Sequence, residues 1–573
     1  MADTQFLTVD GRAVAYEAGA NVLSLAKKAG VDIPAFCYQP ELSVYGACRM
    51  CLVEVIDAKT GRGALDSSCS LLAKPGMVIK TNTDRLRHYR KVILELLLAN
   101  HCRDCTVCDN NQRCRLQEFA DRYGISGVRF PQNSPEPVLD ASSVCITRDQ
   151  SKCILCGCCI RMCNEIQGVG AIDFAHRGSE MTVACVGEKP IGESVCVGCG
   201  QCAAVCPTGA LVVKNDVSKI WKAIDDKKFI TTVQIAPAVR VAVGNAFGIP
   251  ASENTFGKMV SALRLIGFDE VYDTSTSADL TIWEEAAEFL ERLKTEPKMP
   301  LFTSCCPAWI QFVEKHHPDI MPNVSTSRSP MQMFASIFRA ENDKAGRNVF
   351  HVAVMPCTAK KYEAARDEFK VNGKPNVEAV LTTQELVRMI KESGIDYKNL
   401  APEAVEDHYG TATGAGVIFG VSGGVTEAVL RFATPNKTPV TFSEIALTGV
   451  RGLEGVKTAT AKVGGAELKI AVVNGLANAS AVIERIKGGE HFDFVEVMAC
   501  PGGCIGGGGQ PVSDWSVKEE RSKGLYLADK EFTLASPEQN PAMKEMYGGV
   551  LKDKAHELLH VHYPLHRVGC CHA

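Results

Sequence analysis

The stretch VMACPGGCIGGGGQP, residues 497–511, runs off an apolar, β-branched segment into two cysteines, Cys500 and Cys504, set among six glycines. Glycine has no β-carbon, so this backbone can close on a bulky group that other residues would hold away. On its own the CPGGC element also reads as a disulfide. Two further segments deliver cysteine just past an apolar run: FTSCCPAW with Cys305 and Cys306, and VMPCTAKK with Cys357. The runs TTVQIAP, EVYDTS, VFHVAVMPC, KIAVVNG and FDFVEVMAC are separated by helix-patterned stretches such as GKMVSALRLIG and TIWEEAAEFLERLK. This alternation predicts an α/β domain, with two parallel or mixed sheets flanked by helices. The cysteines then fall at carboxyl ends of strands, where open α/β sheets hold ligands.

Disulfides are the first rival for so much sulfur, since the 573 residues include 26 cysteines. No apolar signal segment follows MADTQFLTVDG, so an oxidising compartment is not expected and the cysteines predict metal. No run approaches 18 consecutive apolar residues, which predicts no membrane span and a cytoplasmic location. The length predicts several domains, and 46% hydrophobic residues suffice for real cores. A net charge of −4 gives no electrostatic footprint for nucleic acid.

Nineteen of the cysteines fall into five groups. Residues 1–82 alternate short strand-like runs with one helical stretch, NVLSLAKKAG, and carry Cys37, Cys48, Cys51 and Cys69 in the order C-x10-C-x2-C-x17-C. Loop cysteines plus one distant ligand suit a two-iron cluster; a zinc ribbon would show two CxxC pairs. The helix-like TDRLRHYRKVILELLLANH leads to His101, Cys105, Cys108 and Cys114 in a second domain, 83–139. One histidine with three cysteines suits zinc or a four-iron cluster equally by spacing. Cys102 beside them reads as a spare thiol. A third domain, 140–222, holds CILCGCCIRMC (Cys153, Cys156, Cys159, Cys163) and CVGCGQCAAVCP (Cys196, Cys199, Cys202, Cys206), the bacterial C-x2-C-x2-C-x3-C pattern twice. In such pairs the fourth cysteine ligates the other cube, which predicts the sets Cys153, Cys156, Cys159, Cys206 and Cys163, Cys196, Cys199, Cys202. Cys145, Cys158 and Cys185 are left over and read as small buried hydrophobes.

Two resemblances extend this reading. The stretch VDIPAFCYQPELSVYGACRMCLVEV, and the His-Cys group after it, are similar to the large peripheral subunit of respiratory complex I. That implies a four-iron cluster at His101 and a nicotinamide-linked partner. The TSCCP, MPC-x2-K and MACPGGC-x-GGGG segments resemble the three signature motifs of FeFe-hydrogenases, and the likeness in domain order spans nearly the whole chain. It implies a catalytic domain at 223–555, small α+β ferredoxin-like iron-sulfur domains before it, and a small-subunit-like helix and tail at 556–573. The implied cofactors are one 2Fe-2S cluster, three 4Fe-4S clusters and an H-cluster. The last is a cube held by Cys306, Cys357, Cys500 and Cys504, with Cys504 bridging to a two-iron unit bearing carbonyl, cyanide and dithiolate ligands.

The same likeness implies roles around that site. Cys305 becomes the group that exchanges protons with the dithiolate amine, and Lys360 a donor to cyanide. Glu285, Glu288 and Arg292 lie at offsets of three and four on one helical face. With Ser325 they match the family's proton path, although from sequence alone they read as an exposed charged stripe. Pro237, Ser329, Met355, Phe419 and Met498 match pocket positions, with core packing as the rival. Met331 stands where the family often has glutamine, which removes a polar contact. The implied activity is the reversible interconversion of protons and electrons with dihydrogen in the catalytic subunit of a multimeric NAD(P)-linked or electron-bifurcating enzyme of anaerobic metabolism. No dinucleotide or flavin fingerprint is visible, because VSGGVTEAV and GGGGQP lack the strand-glycine-helix context. Flavin- and NAD(P)-binding iron-sulfur subunits, ferredoxin and H-cluster maturation proteins are therefore the expected partners. A stand-alone ferredoxin-dependent hydrogenase is the alternative; a hydrogen sensor or an assembly factor of the superfamily is the other class. Cys570 and Cys571, among the histidines of HVHYPLHRVGCCHA, read as part of a disordered tail.

Overall fold

The computed structural model describes residues 5–57, 59–134, 138–295, 299–371, 373–434, 449–463 and 466–563. Cys570 and Cys571 lie outside the described residues. At the amino end, strands Phe6–Val9, Arg12–Ala15, Leu52–Ile56, Gly63–Ser67 and Val78–Lys80 form one sheet in the order second, first, fifth, third, fourth. The helix Val22–Lys28 packs on it, its first turn capped by the Asn21 side chain accepting from the Ser24 N–H at 2.8 Å. Helix Asp84–Ala99, capped by Thr83, is fastened to this domain by Arg90. That buried guanidinium donates to the carbonyls of Met50, Leu52 and Thr81.

The two CxxCxxCxxxC runs fold alike. Each places a short helix, Cys158–Arg161 or Gln201–Ala204, directly after a left-handed glycine, Gly157 (φ 68°) or Gly200 (φ 71°). The turn lets successive cysteines face one centre before the helix carries the fourth away.

The larger half contains two sheets. In the first, strands Glu270–Asp273, Ile230–Ile235, Val349–Met355 and Ala379–Thr382 lie side by side in that order, all parallel. In the second, Leu301–Phe302, Phe494–Met498 and Ala466–Asn474 are parallel and Val456–Val463 closes the edge antiparallel. Every residue of Val349–Met355 and of Phe494–Met498 is buried, as strands covered on both faces require. Long helices flank them, among them Ser275–Thr295, Pro307–His316 and Pro330–Lys344. This is the α/β architecture anticipated, preceded by ferredoxin-like domains. The chain ends in helices Trp515–Glu531, Pro541–Gly548 and Ala555–Leu559. Among the described residues no helix is long and apolar enough to cross a membrane.

Candidate active site and metal centres

The carboxyl ends of both sheets open onto one cavity of about 80 Å³. Its walls carry Cys306, Cys357, Cys500 and Cys504 together with Cys305 and Lys360. Three strand ends bring the four sulfurs, Cys500 and Cys504 sharing the end of Phe494–Met498; all four thiols are pushed up by burial, with neighbouring cysteines of the set adding to the effect on Cys357, Cys500 and Cys504. The glycine loop fits around this point with almost no clearance. A β-carbon at Gly507 would lie 2.1 Å from the Pro356 carbonyl oxygen, and one at Gly503 (φ 87°) would lie 2.6 Å from the Ser422 nitrogen. Cys306 sits just ahead of helix Pro307–His316, where the Ala308, Trp309 and Ala499 N–H groups point at its sulfur. Four convergent thiols, backbone donors and a cradle that β-carbons would fill fit an iron-sulfur cluster.

Pro237, Met355, Phe419 and Met498 line the same cavity, and Met331 does too. Ser329, expected at a pocket position, does not line the cavity; it is fully buried, its hydroxyl without a hydrogen-bond partner among the described residues. Lys360 Nζ donates to Glu363 Oε2 at 2.7 Å and to the Cys305 carbonyl at 3.3 Å. Burial pulls the ammonium down, but the charge and hydrogen bond of Glu363, together with the charges of Cys357 and Cys305, leave it raised, so the cavity wall carries a cation. Glu363 was not singled out by sequence. Its one signal is the K-x-x-E spacing on helix Ala359–Ala365, which places it within reach of Lys360.

The charged stripe is not exposed. Glu285 is fully buried, and burial, reinforced by the neighbouring Glu288 charge, pushes its carboxyl up to about 8. Its Oε1 accepts the Ser304 N–H at 3.3 Å, while Oε2 has no partner among the described residues. Cys305 is held well above the ordinary thiol range by burial and by the charges of Glu285 and Cys306, so its sulfur keeps a proton. Outward from Glu285, the Ser325 hydroxyl donates to Glu288 Oε2 at 2.8 Å and Arg292 donates to Glu288 Oε1 at 2.5 Å. The Glu285 carboxyl feels the Ser325 hydroxyl and Cys305 feels Glu285, which sets Cys305, Glu285, Ser325, Glu288 and Arg292 in one file leading outward from the cavity. Thr326, Glu284 and His560 extend it, and sequence reasoning missed all three.

The other cysteine groups also converge. Cys37 and Cys48 sulfurs are 3.4 Å apart, Cys51 is hydrogen-bonded to Cys69, and both latter thiols feel the Cys37 charge. Cys153, Cys156, Cys159 and Cys206 wall one small cavity and Cys163, Cys196, Cys199 and Cys202 another, the crossed arrangement that the spacing predicts. At the His-Cys group, Cys114 feels Cys108 and Cys105, and His101 is buried with its Nε2 unpartnered among the described residues. A buried imidazole nitrogen left without a partner fits a metal ligand. Cys145, Cys158 and Cys185 are buried at 2%, 0% and 3% exposure. Burial pushes the Cys145 thiol up to about 12, so it behaves as the small hydrophobe expected.

Comparison with known proteins agrees with this geometry domain by domain. Residues 5–84 match the 2Fe-2S iron-sulfur cluster binding domain, 90–129 the NADH-ubiquinone oxidoreductase-G iron-sulfur binding region, and 152–210 the 4Fe-4S dicluster domain. Residues 229–508 match the C-terminal domain of the iron-only hydrogenase large subunit and 516–564 the iron hydrogenase small subunit. The match at 90–129 favours an iron-sulfur cluster over zinc at the His-Cys group. The NADP-reducing hydrogenase subunit HndD of Solidesulfovibrio fructosivorans is 42% identical over 97% of this chain and 98% of its own. Iron hydrogenase 1 of Clostridium pasteurianum is 32% identical over 95% and 96%. Among solved structures, the FeFe-hydrogenase HydA1 from Chlamydomonas reinhardtii superposes with a TM-score of 0.54 at 36% identity, covering 61% of this chain and 99% of that one. Five converging cysteine groups, a glycine cradle at two sheet ends and full-length likeness lead to one conclusion: the chain belongs to the iron-only hydrogenase family of iron-sulfur oxidoreductases.

Proposed function

We propose that this chain interconverts dihydrogen with two protons and two electrons, at a centre held by Cys306, Cys357, Cys500 and Cys504 with Cys504 as the bridging ligand. The observation that carries this reading is the meeting of those four thiols at one apolar cavity whose wall also holds a fifth thiol, Cys305. A cube joined to a two-iron unit with carbonyl, cyanide and dithiolate ligands would supply the dihydrogen chemistry there. The protein handles protons. Cys305 gives its Sγ proton toward the cavity and regains one from Glu285, whose raised pKa makes it a carboxylic acid near neutral pH. Lys360, fixed by Glu363 and the Cys305 carbonyl, places ammonium protons for a cyanide nitrogen. Pro237, Met355, Phe419 and Met498 keep water from the centre.

Electrons travel through the other cysteine groups. Likeness over nearly the full length to an NADP-reducing hydrogenase subunit supports a multimeric NAD(P)-linked enzyme. In it a flavin-bearing subunit, with ferredoxin in a bifurcating version, exchanges electrons with this chain. Infrared bands of carbonyl and cyanide in the matured chain, with hydrogen evolution from a reduced dye, test the reaction; absence of both overturns it. Recovery of a flavin subunit that reduces NADP with hydrogen tests the assembly. Full activity with reduced ferredoxin alone selects the stand-alone enzyme.

A further inference from the structure

The file from the cavity ends at Arg292, and a guanidinium does not release its protons in proteins. Arg292 can orient Glu288, but a group that takes up and gives off protons must stand next to Glu288. The structure shows one, on a segment remote in sequence. Glu288 Oε2 accepts the Thr326 N–H at 3.0 Å and lies 3.2 Å from the Thr326 hydroxyl. That hydroxyl is 2.8 Å from His560 Nδ1. His560 Nε2 is 3.0 Å from Glu284 Oε2, and the other oxygen of Glu284 accepts the Tyr547 hydroxyl. The His560 and Glu284 side chains are only 12% and 14% exposed, so the pair touches water at one edge and the buried file at the other.

Backbone pairing fixes this placement. The Val561 N–H donates to the Thr326 carbonyl at 2.8 Å and the Arg328 N–H to the Leu559 carbonyl at 2.8 Å, while the Arg328 side chain holds the His560 and Glu557 carbonyls. His560 is thus laid against the segment that carries Ser325. The charged and titratable groups around it are Glu284 and Glu288 from helix Ser275–Thr295, Arg328, Tyr547, and His556, whose ring stacks on His560 at 5.0 Å. Exposed His562 lies 5.9 Å beyond His556.

We propose that His560, acting through the Thr326 hydroxyl, is the port at which protons join and leave the Glu288 file. This rests on the reaction proposed above. Inward, the Glu284 carboxyl gives its proton to Nε2, Nδ1–H breaks as a Thr326 O–H bond forms, and the hydroxyl's former proton bonds to Glu288 Oε2. One proton enters, one arrives, and no electrons move. A hydroxyl with one proton and two lone pairs can do this, and imidazole as a class exchanges protons near neutral pH. The imidazole regains its starting tautomer by exchange with water at its exposed edge.

The test uses the matured full chain with H560Q and T326V. In H560Q, dye-driven hydrogen evolution falls at least about tenfold, the solvent isotope effect rises, and added imidazole restores part of the rate, while carbonyl and cyanide bands stay unchanged. T326V shows the same loss without rescue. Apart from turnover, nitrogen-15 chemical shifts of labelled histidine rings change at His560 Nδ1 in T326V and at Nε2 in E284Q, because each variant removes that nitrogen's partner. The proposal is overturned if H560Q keeps its rate within about twofold with an unchanged isotope effect, if its loss comes with a lowered melting temperature and no imidazole rescue, or if the His560 ring shifts are unchanged in both T326V and E284Q. A matured wild-type chain inert toward hydrogen refutes the parent reaction instead.

Discussion

Cys305 and Glu285 are both buried acids whose protons are retained by desolvation, and each is useful for that reason. C305A leaves the four proposed ligands in place, so the cluster spectra persist while turnover falls by about 10²-fold or more, read as dye-driven hydrogen evolution. Retained evolution refutes the assignment of Cys305. Glu285 also makes a prediction about stability. Its folded pKa of about 8 exceeds the reference of 4.5, so the native state keeps a proton that the unfolded chain has lost between those values. Its contribution to stability is therefore fully present below about pH 4.5 and is lost as pH rises toward about 8. The melting temperature of E285Q minus that of wild type should grow more positive across this window; a flat difference shows that the carboxyl is ionised in the native state.

At the scale of elements, the glycine loop and the short cysteine helices are where local geometry is least forgiving. G507A puts a methyl group against a backbone carbonyl that no rotamer change can remove, at a cost of about 1–3 kcal/mol if the loop shifts. We expect G507A to fold but to lose the spectrum of the catalytic cluster; normal loading would show that the loop yields. Arg161 binds two elements from different domains. Its guanidinium donates to the Cys37 and Ser43 carbonyls of the amino-terminal domain and reaches Cys158 Sγ at 3.5 Å. R161M should detach the proposed two-iron group from the cube beside it. The measurement is the rate at which reduced partner refills the catalytic centre, expected to fall while dye-driven evolution is preserved.

The whole molecule is a branched conductor in the proposed reading. Cys156 feels the Cys37 charge, which places the two-iron group beside the cube site of Cys153, Cys156, Cys159 and Cys206. The His-Cys group reaches the same site from another side: a β-carbon at Gly209 would lie 2.7 Å from Cys108 Sγ, and the Arg115 N–H donates to the Pro207 carbonyl. Cys159 then feels Cys202, and Cys199 feels Cys500, so the line continues to the catalytic cavity. Two inlets merge into one outlet. C48S should remove the two-iron electron paramagnetic resonance signal and lower NADP-linked turnover several-fold without stopping it, since the His-Cys inlet remains; complete loss would make the two-iron group the sole inlet. Ion pairs Lys518–Glu41 and Lys27–Asp514 fasten the amino-terminal domain to helix Trp515–Glu531 and the Asp514 at its N-cap, the exposed second pair contributing about 0–1 kcal/mol.

Ligand chemistry and fold class were written in local order: CxxC spacings, strand-like runs ending in cysteine and a glycine block are short-range features, and short-range features survive in a string of letters. So did the i, i+3 and i+7 placement of Glu285, Glu288 and Arg292. Their burial did not, because helix Ser275–Thr295 is amphipathic only along part of its length and its charged face is covered by segments distant in sequence. Ser329 shows the same limit, for adjacency to Pro330 did not decide which side of the wall its hydroxyl occupies. Sequence by itself determined which atoms can bind metal and at what spacing. Tertiary structure alone decided that residues 306, 357 and 500 meet at one cavity, and that His560 touches Thr326 across 234 positions. Such meetings are fixed by burying whole sheets and helices against one another, a sum over the core that no local window contains.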